Sequence, residues 1–218
     1  MRSFVIINTM KDWQEWHNHY NEPSSDLARR LQIVQEQITN CLPHNVNEPY
    51  QIIDICAGDG RDLIGVLSKH LNLLNIRSFL VEINDEIANH AKELINTEHI
   101  QNIQVVIADA ANSSLYKNVI PADLILLCGV FGNISIEDVQ NIIENLHMFC
   151  KSGTKVIWTR NRRAPDVTPK IRELFTNNSF AELKFISPSD NTYAVGLNIF
   201  KGDTKAFNPE LKLFTFIS

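Results

Sequence analysis

Three acidic residues, Asp54, Glu82 and Asp109, sit at the ends of three successive apolar runs. A carboxylate so placed accepts hydrogen bonds, and the paired hydroxyls of a ribose are a recurrent match for one that closes a second strand. Glu82 stands 24 residues beyond Gly58, an interval that suits this role. Ahead of it, Ala57-Gly58-Asp59-Gly60 supplies two glycines. They let the backbone turn tightly and approach a ligand with no Cβ in the way. The turn is itself acidic, through Asp54, Asp59 and Asp62. It repels a pyrophosphate and suits a ligand carrying an ammonium or sulfonium. A dinucleotide fingerprint, Gly-x-Gly-x-x-Gly, needs a third glycine, and Leu63 occupies that place. This weakens the reading as a nicotinamide oxidoreductase, and a terminal antiparallel hairpin, expected over residues 180–200, weighs against it more than the motif does.

Two further stretches carry chemistry. Cys128-Gly129-Val130-Phe131-Gly132 follows an apolar run, and its glycines permit close approach to a bound molecule while Phe131 offers a wall. Thr159-Arg160-Asn161-Arg162-Arg163 places three arginines in four residues, a match for a carboxylate or phosphate on a substrate. The alternative is a solvated loop paired with nearby acids.

These groups need elements to hold them. Ile52, Ile53 and Ile55 read as a buried parallel strand, and Leu63, Ile64, Val66 and Leu67 as the helix after the turn. Strands follow at Ile76–Ile83, Ile103–Ala108, Ala122–Cys128 and Thr154–Thr159, separated by helical patterns over Asn84–Thr97 and Ile136–Cys150. Thr168-Pro169 opens another helix. The alternation predicts an α/β fold with a doubly wound, mostly parallel sheet. The last two runs, Phe180–Ser187 and Thr192–Phe200, are joined by Pro188-Ser189-Asp190-Asn191, too short for a helix, so they form an antiparallel hairpin. Five parallel strands and a terminal hairpin make a seven-stranded sheet.

Residues 1–48 read as an N-terminal helical extension. Trp13, Trp16 and Tyr20 share one face of its first helix, and Leu27, Leu31, Val34 and Ile38 recur at helical spacing in a second, with a Pro23-Ser24-Ser25-Asp26 break between them. The polar connector His44–Pro49 ends it, and residues 49–218 form the main domain. A net charge of −5 and the lack of a basic module argue against a nucleic-acid partner. No run approaches the ~20 apolar residues of a membrane span. Cys41, Cys56, Cys128 and Cys150 show no metal-site spacing and read as reduced thiols, so a cytoplasmic protein is expected.

The stretch Ile52-Ile53-Asp54-Ile55-Cys56-Ala57-Gly58-Asp59-Gly60 resembles motif I of the class I S-adenosylmethionine-dependent methyltransferases, with Cys56 in place of the first glycine. The motif order over residues 51–200 is similar to that family's core, and Cys-Gly-Val-Phe-Gly-Asn-Ile looks like a group of uncharacterised bacterial members. The resemblance implies S-adenosylmethionine as cofactor. It implies contacts from Asp54, Cys56, Ala57, Gly58, Gly60, Arg61, Glu82, Ile83, Asp109, Ala110, Cys128, Gly129 and Phe131. In the family an N-terminal helical piece often forms a lid. Trp16, Phe131, Arg160 and Arg163 are then candidates for the substrate, and His17, His19, Tyr20 and Tyr193 for a general base. No catalytic metal is expected, because Cys128-Gly129 supplies no acidic ligand, and the expected substrate is a small molecule. A non-methylating enzyme using the same cofactor and a non-catalytic cofactor-binding subunit are the alternatives.

Overall fold

The computed structural model describes residues 25–43, 48–70 and 74–217. The helix expected to carry Trp13, Trp16 and Tyr20 lies outside them. Five helices and seven strands alternate among the described residues: α1 (Asp26–Cys41), β1 (Tyr50–Ile55), α2 (Arg61–Leu67), β2 (Ile76–Glu82), α3 (Asp85–Thr97), β3 (Ile103–Ile107), β4 (Ala122–Leu127), α4 (Ile136–Asn145), β5 (Cys150–Asn161), α5 (Thr168–Asn177), β6 (Phe180–Ile186) and β7 (Tyr193–Phe200). The strands form one sheet in the order β3-β2-β1-β4-β5-β7-β6. β1 to β5 pair in parallel, and β7 lies antiparallel between β5 and β6. The expected sheet and terminal hairpin are present.

Alternation along each strand separates two apolar faces. Ile53, Ile55, Ile125, Leu127, Val156 and Trp158 pack with Val139, Ile142 and Ile143 of α4 and Ile171 and Phe175 of α5. Ile52, Leu80, Leu124, Leu126 and Ile157 pack on the other face with Val34, Ile38 and Cys41 of α1 and Leu63 and Val66 of α2. α1 is thus part of the sheet's covering layer. Side-chain oxygens cap three helices, Ser25 accepting from Ala28 N–H, Asn84 from Ile87 N–H and Ser135 from Asp138 N–H.

Two boundaries differ from expectation by more than two residues. The helix expected over Ile136–Cys150 stops at Asn145 and tightens into a 3₁₀ turn over Leu146–Met148. The apolar period continues through Phe149, but β5 already begins at Cys150, beside Ala122. β5 then shifts register between Ala122 and Leu124, where Gly153 takes a φ of 94°. No helix of the described residues is long and apolar enough to cross a membrane.

Candidate cofactor and active site

Because β1 to β4 run the same way, their carboxyl ends share one sheet edge, and the strand order reverses between β1 and β4. A crevice at such a switch point is where open α/β sheets bind ligands. The turn after β1 is built by three residues at positive φ: Cys56 at 62°, Gly58 at 60° and Gly60 at 67°. Gly60 is favoured by its positive φ, and a Cβ there would also stand 2.9 Å from both Ile64 Cδ1 and Leu80 Cδ2. At Gly58 and at Gly129 (φ 79°) a Cβ would meet nothing within 4 Å. These two glycines line open space. Cys56 holds a conformation suited to glycine at a cost of roughly 1–3 kcal/mol.

Glu82 fastens the turn. Its Oε2 accepts the Gly58 N–H at 3.0 Å and its Oε1 the Asn84 N–H at 2.8 Å. A carboxylate offers about four acceptor sites, so both oxygens can also take ribose hydroxyls. Ile83 next to it is exposed. Asp109 follows β3 and accepts the Ala111 N–H at 3.0 Å, while the buried Ala110 gives its carbonyl to the Tyr116 hydroxyl at 2.8 Å.

Behind the turn lies a buried acidic group. Asp54 is 1% exposed, and its Oδ2 has no hydrogen-bond partner among the described residues. Burial first, then Asp62 and Glu82, hold its carboxyl well above the usual carboxylate range. Burial pushes Asp62 up to about 6, against the opposing Leu63 N–H at 2.9 Å. Burial, reinforced by these carboxylates, also raises Cys56 and Cys128 well above the ordinary thiol value. Both are thiols at neutral pH, poor nucleophiles.

The loop after β4 is braced on all sides. Gly129 N–H donates to Thr159 Oγ1 at 2.8 Å, Asn133 Nδ2 to the Gly129 carbonyl at 2.6 Å, and Arg160 Nη1 to the Phe131 carbonyl at 2.6 Å. Phe131 is not the wall expected from sequence. Its ring is buried in the core, 6.0 Å from Trp158 and 6.3 Å from Phe175, because the loop turns that side chain inward under the sheet edge. Arg61 also departs from a free cofactor contact, as its guanidinium folds back to pair with Asp59.

The arginines divide. Arg162 is held by Asp166 at 2.9 Å and by Ser187 and Asn191. Arg163 is exposed. Arg160 is partly buried, makes no ion pair with a carboxylate among the described residues, and its Nε is buried without a partner. Desolvation lowers its pKa, only partly offset by Asp166. Tyr193 opens β7 beside Asn161 and packs under α1 with Val34 and Ile38. Trp16, His17, His19 and Tyr20 lie outside the described residues.

A family model described as tellurite resistance protein TehB matches residues 12–184. The chain belongs to the TehB family. Solved structures share its fold. Magnesium protoporphyrin IX methyltransferase (ChlM) from Synechocystis PCC 6803, with bound S-adenosylmethionine, superposes with a TM-score of 0.67 at 12% identity over 88% of this chain and 92% of that one. A TehB-like S-adenosylmethionine-dependent methyltransferase from Corynebacterium glutamicum gives 0.61 at 16% identity, over 87% of this chain and 96% of its own. A third, an S-adenosylmethionine-dependent methyltransferase from Clostridium acetobutylicum, gives 0.62 at 11% identity, over 87% and 99%. No curated protein sequence matches the chain. This TehB-family chain is a class I methyltransferase, and S-adenosylmethionine is the cofactor of its class. The residues present are compatible with that cofactor: Gly58 and Gly129 border open space, the Glu82 carboxylate stands beside the Gly58 N–H, and behind the turn Asp54 keeps a buried carboxyl oxygen without a partner among the described residues.

One pH dependence follows. A cationic cofactor bound against Asp54 and Asp62 would favour their ionised forms, so their bound-state pKa values would fall below the free-state ones. Affinity for S-adenosylmethionine would then be weakest where these groups are protonated, and for Asp62 would rise with pH up to its free-state value, about 6, and level off above it. Calorimetry from about pH 5 to about pH 7 is expected to give tightening affinity and proton release. Constant affinity across that window would mean the buried carboxylates do not feel the cofactor.

Proposed function

We propose that the protein transfers a methyl group from S-adenosylmethionine to a small anionic acceptor, through an oxygen or nitrogen nucleophile, by in-line displacement without a metal. The observation that carries the reading is the cradle at one sheet edge, where a Cβ at Gly58 or Gly129 would meet nothing within 4 Å and Glu82 accepts the Gly58 N–H. When bound, the cofactor supplies a methyl carbon on a sulfonium, a leaving group that needs no further activation. The work left to the chain is positioning, which in favourable cases lowers a barrier by ~7–11 kcal/mol. Glu82 and Asp109 hold the nucleoside end, Asp54 complements positive charge, and the braced Gly129 loop fixes the approach to the methyl group. Burial raises the Tyr193 phenol, offset in part by Arg29, so it stays protonated at neutral pH.

Arg160 supports the anionic class. A partly buried guanidinium with no carboxylate partner and an unsatisfied Nε gains most from a bound anion. The family's description points the same way, since tellurite is an oxyanion. Arg163, exposed just beyond the end of β5, adds a second positive charge. The test is S-adenosylhomocysteine formation by the purified protein with matched acceptors: carboxylates, phosphates, tellurite and their neutral analogues. Turnover is expected with anionic acceptors and not with neutral ones. Equal turnover with both would remove Arg160 from acceptor recognition, and none with any acceptor would favour a non-catalytic, cofactor-binding subunit.

A further inference from the structure

After β7 the described chain runs on through residues 201–217 without another named strand or helix. Thr204 Oγ1 donates to the Cys150 carbonyl at 2.7 Å, and Phe207 sets its ring edge-on to Phe149 at 6.2 Å. The segment then reaches the ligand edge of the sheet. Ser113 Oγ donates to the Asn208 carbonyl at 2.7 Å, Ser113 N–H to the Leu211 carbonyl at 3.0 Å, and Leu213 N–H to the Ala111 carbonyl at 2.8 Å. Asn141 Nδ2 on α4 grips the carbonyls of Lys212 and Leu213 at 3.1 and 2.8 Å. Thr215 N–H donates to Asp138 Oδ2 at 3.0 Å, and Ile217 N–H to the Asn133 carbonyl at 2.9 Å. Isolated bridges pair Asn112 with Lys212 and Ile134 with Phe216. Leu213 and Phe214 are buried in the core.

The two loops joined in this way are the ones that flank the cradle. One begins at Asp109, and the other runs from Gly129 to Asn133, whose side chain reaches back to the Gly129 carbonyl. Neither loop is fixed to the other through the sheet, because β2 and β1 lie between β3 and β4. We infer that Leu211–Ile217 is a positioning strap that holds the Asp109 loop and the Gly129 loop at a fixed spacing, so that cofactor affinity depends on it. The inference rests on the reading of the cradle as the cofactor site. Its physical content is preorganisation: loops already held in the bound arrangement lose less freedom when the ligand arrives. By reciprocity, the bound cofactor also stabilises the strap.

The test uses Ile217, whose side chain is exposed, so changing it empties no core. Ile217→Pro removes the N–H that holds Asn133, while Ile217→Ala keeps it. Asn141→Leu removes the grip on Lys212 and Leu213. S-adenosylhomocysteine binding is expected to weaken by about 5-fold or more in Ile217→Pro and Asn141→Leu, with Ile217→Ala unchanged. Amide exchange across residues 129–133 is expected to quicken in the two weakened variants. In the wild-type protein, saturating S-adenosylhomocysteine is expected to slow exchange at the Leu213 and Ile217 amides, a reading that needs no variant to fold. Wild-type affinity in both weakened variants, or unaltered exchange at Leu213 and Ile217, would overturn the strap. A wild-type protein that binds no S-adenosylhomocysteine would instead overturn the reading of the cradle, and the strap's role with it.

Discussion

Glu82→Ala is expected to weaken S-adenosylhomocysteine binding by about 100-fold or more, equivalent to about 2.7 kcal/mol. Two losses combine. Hydrogen bonds from a ligand to a charged acceptor contribute about 1.5–3 kcal/mol each, and Glu82 offers two oxygens where a ribose presents two hydroxyls. The same oxygens hold the Gly58 and Asn84 N–H groups, so their removal also loosens the turn that must lie against the ligand. Glu82→Gln separates the two. It keeps one acceptor oxygen but turns an amide NH₂ toward a backbone donor, and a loss of roughly 10-fold is expected. Thermal melting of each variant without ligand checks that the fold survives. Wild-type affinity in Glu82→Ala would show that no ribose sits at the end of β2.

The largest effect on stability is expected from Gly196→Ala. A Cβ at this position on β7 would lie 2.1–2.4 Å from three atoms of the Trp158 ring, far inside contact distance. The ring has nowhere to go. It is fully buried, donates its Nε1–H to Asn198 Oδ1 at 2.8 Å, stacks on Phe175 at 5.9 Å, and has Phe131 and Phe185 on other sides at 6.0 and 6.1 Å. Overpacking a site so tightly enclosed costs about 3 kcal/mol or more. For a domain of this size that lowers the melting temperature by roughly 10 °C. The site is affected too, because β5 carries Thr159 and Arg160, which brace the Gly129 loop. The double variant Gly196→Ala with Trp158→Phe is expected to regain part of the loss, since the smaller ring vacates the contact. An unchanged melting temperature in Gly196→Ala would contradict this packing.

The cradle was legible in the sequence because its signals are local. An apolar run followed by glycine or a carboxylate marks a strand end, and Asp54, Gly58, Glu82, Asp109 and Gly129 all stand at one edge as that reading requires. What was not legible depends on contacts between distant segments. Nothing near Phe131 tells which way its ring turns, and only the pocket formed by Trp158 and Phe175 decides it. Arg162 became structural through Ser187 and Asn191, 25 and 29 residues away, while Asp166 four residues on was the one partner the sequence placed near it. The overrun of α4 has a similar origin, because Leu146, Met148 and Phe149 keep a helical apolar period while the chain must turn to meet β4. The strap's backbone donors recur on every second residue, at Leu211, Leu213, Thr215 and Ile217, but their partners are two loops and one helix rather than a neighbouring strand, so no ladder partner could be read from the sequence.

The most direct test of the central assignment is calorimetric titration of the purified protein with S-adenosylmethionine, S-adenosylhomocysteine and NAD in parallel. Saturable binding of the first two at one site, with none of NAD, is the predicted result. Binding of NAD alone, or of none of the three, would contradict the assignment of the cradle.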